Sequence, residues 1–396
     1  RLNLKNYQIV LAMVYAIEEI NRNLHILPNV SLGYNVLLNE WWTLDRCITW
    51  LSGLEKYVPN YMCRREMKSM SAPTGISWMI SAHIGTLLKL YKCPQLTIGS
   101  FDPNLNNHEQ FPNLYQIAYK DMSFLHGIVS LLNYFHWNWV GLIISEGQNS
   151  VQILSDLRAE MDRNRICVDF VELIPVSVVS YLPNNQLNPI QVLKSTANVI
   201  ITYGDSKESL VMSSDWDVII QSNHFILHSF DGRLIFAHHH KETSGYRNFI
   251  RTVHPSKYPE VFLPYKVLFY FFNCSFADDD CNTPDNCLPN ASLHETLGRH
   301  FDMVMTEFAC NIYSAVYAVI HSLHEMLLQQ VEVTPVRKAD DLIFSAWQLH
   351  PFLKTRQFTN PAGEQMNLDE KKYDILNYCN SPEGLQLNVK VGQLSP

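Results

Sequence analysis

The stretch MSFLHGIVSLLNYFHWNWVGLIIS, residues Met122 to Ser145, decides the fold. It runs for 24 residues without Asp, Glu, Lys or Arg, long enough for one crossing of a bilayer. Its interior argues against a crossing. His126, Asn133, His136 and Asn138 interrupt it, and the FHWNW block breaks the helical period. The stretch reads instead as a buried helix, Ser123 to Phe135, followed by a buried strand, Val140 to Ser145. Helices that feed short apolar strands build parallel sheets covered on both faces.

The same alternation extends outward. Upstream, helices are expected over Leu4 to Asn23 and Ser77 to Lys92, and strands over Val30 to Leu38 and QLTIG, Gln95 to Gly99. Downstream follow a helix over Val151 to Asn164, a strand over Cys167 to Ile174, a short helix over Gln191 to Ala197 and the strand Asn198 to Gly204. The second half is less regular. Leu234 to His240 reads as a strand, Phe249 to Phe272 mixes aromatics with prolines, and Phe301 to Gln330 is a long apolar helix. KKYDILNY and LQLNVKVG close the chain as strands. The pattern is α/β with mostly parallel sheets, and ligands in such folds sit beyond the carboxyl ends of the strands. The loops after QLTIG, GLIIS and IITYG are therefore the ones to watch; they read SFDPN, EGQNS and DSKES.

The 396 residues suffice for two or three domains, and 47% hydrophobic content supports a large core. Net charge is −8 with no basic face, which argues against nucleic acid. Of nine cysteines, three fall within NCSFADDDCNTPDNC, Asn273 to Cys287. Their spacing suits a disulfide-tied loop better than a zinc site, which favours C-x2-C pairs. Sequons at Asn29, Asn273 and Asn290 likewise favour an oxidising, secretory compartment. The opening RLNLKNYQ does not read as a signal peptide, so a soluble ectodomain or a fragment of one is expected.

Catalytic and cofactor motifs are missing. There is no phosphate-binding glycine loop, no G-x-S-x-G elbow and no H-E-x-x-H, so no enzyme and no cofactor is implied. His321 and His324 share a helix face, and His238 and His240 share a strand face; both read more simply as surface histidines than as metal pairs. DDDCNTPDN resembles an acidic calcium loop but lacks the turn glycine. Asp121, which ends FPNLYQIAYKD, is the N-cap of the next helix, half of an ion pair or a carboxylate for a ligand's positive charge.

Several long segments carry a resemblance. AIEEINRNLHILPNVSLGY, LYKCPQLTIGSFDP, YFHWNWVGLIIS, NIYSAVYAVIHSLHEMLLQQ and YDILNYCNSPEGLQLNVKVGQ are similar to the ectodomains of class C G-protein-coupled receptors. LYQIAYKD, SDLRAEM, ANVIITYGDS, HHHKETSGYRNFI and HPSKYP resemble the vomeronasal type-2, or pheromone-receptor, branch. The resemblance implies a bilobed Venus-flytrap of the periplasmic-binding-protein type, with two doubly wound, mostly parallel sheets joined by a hinge. It puts lobe 1 at 1–115 and 237–372 and lobe 2 at 116–236 and 373–396. It further implies a plasma-membrane receptor that binds a peptide, protein or amino-acid-like pheromone on its extracellular side. Such a receptor dimerises with itself or another class C receptor and signals to a G protein through a seven-helix domain, which lies outside this chain.

Relatives that bind free amino acids hold the carboxylate on two lobe-1 loops and the ammonium on an acid ending the crossing strand. Carried over, that acid is Asp121. The first loop supplies Ser77 and Trp78, an indole where a small residue is usual. The second supplies Gly99, Ser100 and Phe101 in place of a serine-rich turn. The lobe-2 tyrosine position reads Asn149 and the later acid position reads Ser214. The rewritten clamp points to a ligand other than a plain α-amino acid. Cys274 and Cys287 match the family's lobe-1 disulfide, whereas Glu40 stands near a position the family gives to cysteine. A helix and strand of the family are missing near 205–215, which leaves a non-functional or decoy truncated product as an alternative. A soluble small-molecule-binding flytrap of the transport type is another, and the sequons and cysteine loop speak against it.

Overall fold

The computed structural model describes residues 4–28, 30–34, 47, 70–75, 78–99, 101–118, 122–146, 148–175, 194–197, 199–203, 234–238, 244–253, 258, 275–277, 280–285, 305–333, 345–354, 373–380 and 386–394. In chain order these form α1 (Leu4–Arg22), β1 (Ala72–Thr74), α2 (Trp78–Tyr91), β2 (Gln95–Thr97), β3 (Leu114–Gln116), α3 (Met122–Tyr134) and β4 (Trp139–Glu146). Next come α4 (Gln148–Arg163), β5 (Cys167–Pro175), β6 (Val199–Tyr203), β7 (Leu234–His238) and α5 (Ser244–Thr252). The chain closes with β8 (Ser275–Ala277), β9 (Asp280–Asp285), α6 (Glu307–Val333), α7 (His350–Lys354), β10 (Tyr373–Asn380) and β11 (Gln386–Leu394). Of the short helix expected over Gln191 to Ala197, residues 191–193 lie outside the described set, and Ser195 to Ala197 are not helical.

Two compact units share these elements. Unit 1 spans Arg1–Tyr119 and His240–Leu368; unit 2 spans Lys120–His239 and Asp369–Pro396. In unit 1, β1, β2 and β3 form a parallel sheet in that order. Its core joins α1, α5 and α6 to the strands β2 and β3, through Tyr7, Leu11, Ile20, Leu96, Tyr246 and Tyr317 among others. Burying each such side chain contributes about 1.5–3 kcal/mol. A carboxylate sits at this layer. The Glu19 carboxylate accepts hydrogen bonds from the hydroxyls of Tyr15 (2.9 Å), Tyr313 (2.6 Å) and Tyr317 (2.7 Å). Burial comes first, and Glu19 second, in pushing all three phenols well above the usual tyrosine range.

In unit 2, β4 lies between β5 and β6 in a second parallel sheet. Leu125, Ile128, Val129 and Leu132 of α3 pack with Val140, Leu142 and Ile144 of β4 and with Leu157 and Met161 of α4. Met122 to Ser145 is thus a helix and a central strand, and no helix among the described residues is long and apolar enough to cross a membrane. FHWNW ends the helix in a specific way. His136 takes a left-handed φ of 56°, and the Trp137 N–H reaches back to Leu132 O at 2.8 Å. The same closure follows α2 at Lys92 (φ 52°) and α4 at Arg165 (φ 58°), with bonds from Cys93 to Leu88 and from Ile166 to Met161. Glycine usually fills this position; here three other residues do.

Several expectations need correction. Val30 to Tyr34 form no strand, and residues 35–38 lie outside the described set. The Asn21 side chain takes both backbone groups of Leu32, at 3.0 and 2.8 Å, so no ladder partner can. The chain's last strands do not extend a parallel sheet: β10 pairs antiparallel with both β11 and β7. The long helix begins at Glu307 because Thr306 caps it, its hydroxyl accepting from the Ala309 N–H at 3.4 Å. Helix α5 went unread, although Tyr246, Phe249, Ile250 and Val253 mark one buried face at helical spacing. The acidic run Asp280–Asp285 is the second strand of the β8–β9 hairpin. Among the described residues no three His, Cys, Asp or Glu side chains gather into a metal-binding group.

Candidate ligand-binding site

The candidate site in unit 1 lies at the carboxyl ends of its three parallel strands. Register pairs Thr74 with Thr97 and Thr97 with Gln116, so the three strands end level. The loop after β1 leads directly into α2, whose first residue is Trp78. The loop after β2 carries Gly99 and Phe101. Two of the loops expected to hold ligand therefore stand side by side on one edge of one sheet.

Each loop is fixed from below by buried polar contacts. Thr74 Oγ1 lies 3.1 Å from Ser81 Oγ of α2. Gln95 Nε2 donates to Thr74 Oγ1 (3.1 Å) and to Ser81 O (2.8 Å). These three residues are almost fully buried, which strengthens bonds of this kind. Gln116 holds the second loop with both ends of its amide: Oε1 accepts from Asp102 N at 2.8 Å and Nε2 donates to Asp102 O at 2.9 Å. Asp102 in turn caps the turn Pro103–Asn106, accepting from Asn104 N at 2.8 Å. Asn311 of α6 donates to Ile98 O at 3.0 Å and anchors the start of the same loop. Gln95, Gln116, Asp102 and Asn311 were not singled out in the sequence. A polar residue inside an otherwise apolar strand or helix is the signal that could have found Gln95, Gln116 and Asn311, and an Asp directly before Pro is the capping signal for Asp102.

The Trp78 ring is half-buried and packs against the cluster of Leu105, Phe111 and Leu114. Its indole therefore helps to hold the turn Pro103–Asn106 onto α2, besides bordering the loop. Gly99 is buried and Phe101 half-buried. In unit 2, Asn149 lies in the first turn of α4, directly after the carboxyl end of β4. Ser77, Asp121 and Ser214 lie outside the described residues, as do Ser100, Cys274, Cys287, Asn29, Asn273 and Asn290. The histidine pairs fare differently. His324 Nδ1 faces the Leu27 N–H at 3.4 Å, and burial lowers the pKa of His321, with His324 a smaller contributor. His240 lies outside the described residues.

Residues 8–378 match the model of the receptor family ligand binding region. The chain belongs to that family. It is 33% identical to vomeronasal type-2 receptor 116 of Mus musculus, over 99% of this chain and 49% of the receptor. It is 32% identical to vomeronasal type-2 receptor 26 of the same organism, over 98% of this chain and 49% of the receptor. The extracellular calcium-sensing receptor of Homo sapiens is 25% identical over 97% of this chain and 41% of the receptor. The chain spans about half the length of the vomeronasal relatives, or less for the calcium-sensing receptor. The expected class C receptor ectodomain, similar to the vomeronasal type-2 receptors, thus holds, and the family is one of receptors rather than of enzymes.

Proposed function

We propose that the chain is the extracellular ligand-binding region of a chemosensory receptor of the vomeronasal type-2 kind. The observation that carries this reading is a receptor ligand-binding family match over nearly the whole chain; the level ends of three parallel strands in unit 1 support it. The two units are then the lobes of a Venus-flytrap that closes on a pheromone. Closure is a population shift, driven only by the ligand's tighter binding to the closed state. A dimer with itself or another class C receptor, and a G protein reached through a seven-helix domain, complete the proposed signalling path.

Asp121 is the residue proposed to meet a ligand amine, and Ser77, Trp78, Gly99, Phe101, Asn149 and Ser214 are proposed to line the rest. Trp78 and Phe101 put aromatic groups where amino-acid-binding relatives place small polar ones. The proposed ligand is accordingly a peptide or protein pheromone, not a free α-amino acid. Isothermal titration of the chain against the twenty amino acids tests this: no binding is expected, and micromolar binding by any of them overturns it. Asp121→Ala is expected to abolish the response to an amine-bearing ligand while secretion persists. The Cys274–Cys287 disulfide is also proposed; β8 and β9 pair Ser275 with Asp285, just inside both cysteines in sequence. A decoy product is the second reading. The alignment to the mouse receptor runs over 418 positions, longer than the 396-residue chain, so that receptor carries segments this chain lacks. Retention of the expressed chain in the secretory pathway would favour it.

A further inference from the structure

Unit 1 contains a small apolar cluster apart from its main core, made of Cys47, Ile84, Leu88 and Cys93. Ile84 and Leu88 lie on α2, and Cys93 follows directly on the left-handed turn at Lys92. Cys47 comes from a different part of the chain, yet it and Cys93 are only 5% and 3% exposed. Both are thiols in the structure. The Cys93 S–H makes one weak contact, to Pro94 O at 3.8 Å. The two thiols thus meet in one buried cluster of four side chains.

We propose that Cys47 and Cys93 form a disulfide in the mature protein, fastening the segment around Cys47 to the end of α2. This rests on the proposed passage through an oxidising compartment, where the oxidant is a protein or glutathione disulfide. One cysteine thiolate attacks an oxidant sulfur, forming a mixed disulfide and releasing one oxidant thiol. The second thiolate then attacks the cysteine sulfur of that bond and releases the other. The pair gives up two electrons and two protons in all, and the oxidant leaves as two thiols. Burial pushes the thiols up to about 11 at Cys47 and about 12 at Cys93. Once packed, no more than about one Cys47 in ten thousand is a thiolate at neutral pH, and the thiolate is the nucleophile. The bond is expected to form while the thiols are still in water, before the cluster closes.

The test uses the whole 396-residue chain from two sources: secreted by mammalian cells, and refolded from the reduced state in a glutathione redox buffer. Each sample is alkylated with maleimide under denaturing, non-reducing conditions, digested and mapped by mass spectrometry, and the glycans of the secreted chain are scored in parallel. A peptide pair joining Cys47 to Cys93, released on reduction, is expected in both samples. Maleimide on both cysteines in a glycosylated secreted chain overturns the pairing, as does a bond from either one to Cys63 or another cysteine. A chain without glycans that forms the bond on refolding supports the pairing and counts against the secretory reading instead.

Discussion

Glu19 offers the sharpest test of what holds unit 1 together. Its carboxylate is the common acceptor for three phenols, one on α1 and two on α6. Tyr15, Tyr313 and Tyr317 are 8%, 2% and 1% exposed, so water cannot replace the lost acceptor freely. Ring contacts fix their positions: Tyr15 stacks on Tyr313 at 5.9 Å, and Tyr313 and Tyr317 lie 4.9 Å apart. Stranding one buried hydroxyl costs about 1–3 kcal/mol. With Glu19 gone, the neighbouring Tyr313 and Tyr317 hydroxyls can turn to each other, which recovers part of that loss. Glu19→Ala should therefore cost about 3–5 kcal/mol, less than three stranded hydroxyls would sum to. Glu19→Gln keeps an acceptor but loses the charge, and should cost about 1–2 kcal/mol. Tyr317→Phe should cost a similar amount, and the double variant should fall short of the sum, because both changes remove the same bond. Urea unfolding followed by circular dichroism measures each value. A loss below about 1 kcal/mol for Glu19→Ala, or strict additivity in the cycle, refutes the reasoning.

Four further outcomes follow from the geometry. The phenols around Glu19 have folded-state pKa values raised above the unfolded value, so their contribution is complete below about pH 10 and is lost as pH rises further; alkaline denaturation should begin there, with these tyrosines ionising only as unit 1 unfolds. His350 is lowered, chiefly by burial, and its ring contacts Tyr115 Oη at 2.8 Å and Lys92 O at 3.2 Å. The unfolded state therefore binds its proton first, and the contribution of His350 should fall as pH drops below about 6.5; comparing the acid stability of His350→Gln with the parent isolates it. Gly141→Ala would drive a methyl into the Phe170 ring beside the irregularity in the β4–β5 register, and should destabilise unit 2 by about 1–3 kcal/mol in thermal melts. Arg165→Gly removes an exposed side chain from a left-handed position and should stabilise unit 2 by up to about 1 kcal/mol.

The sequence made the alternation of elements readable because each buried strand is short and apolar and each helix carries an apolar face. Met122 to Ser145 resolved correctly once its polar interruptions were weighed against its lack of charge. The turn that separates its helix from its strand was less legible: His136 in a left-handed conformation replaces the glycine that would have announced it. The supposed strand at Val30 failed for a different reason. Its pattern was suitable, but the side chain of Asn21, eleven residues away, claimed the backbone of Leu32. Such long-range competition leaves no local trace. Helix α5 was hidden by the aromatic and proline-rich text after it. At the site, Trp78, Gly99 and Phe101 came from the resemblance, whereas the residues that hold their loops in place emerged only when the strands were aligned.

Those supporting residues bear on how the ligand can have changed. Gln95 with Thr74 and Ser81, Gln116 with Asp102, and Asn311 with Ile98 set the course of both strand-end loops by contacts beneath them. None of these bonds uses the indole of Trp78 or the ring of Phe101. Most of the scaffold is thus separate from the residues proposed to meet the ligand, with Trp78 the exception, because its indole also packs on the Leu105 turn. Gln116→Ala tests the separation. It removes both bonds to Asp102 and should cost about 1–3 kcal/mol of local stability. Amide hydrogen exchange over residues 99–106 should accelerate, while exchange in α3 and β4 of unit 2 stays unchanged. Unaltered exchange in the loop would mean that its course is set by its own residues, and a new ligand would then have required a new loop.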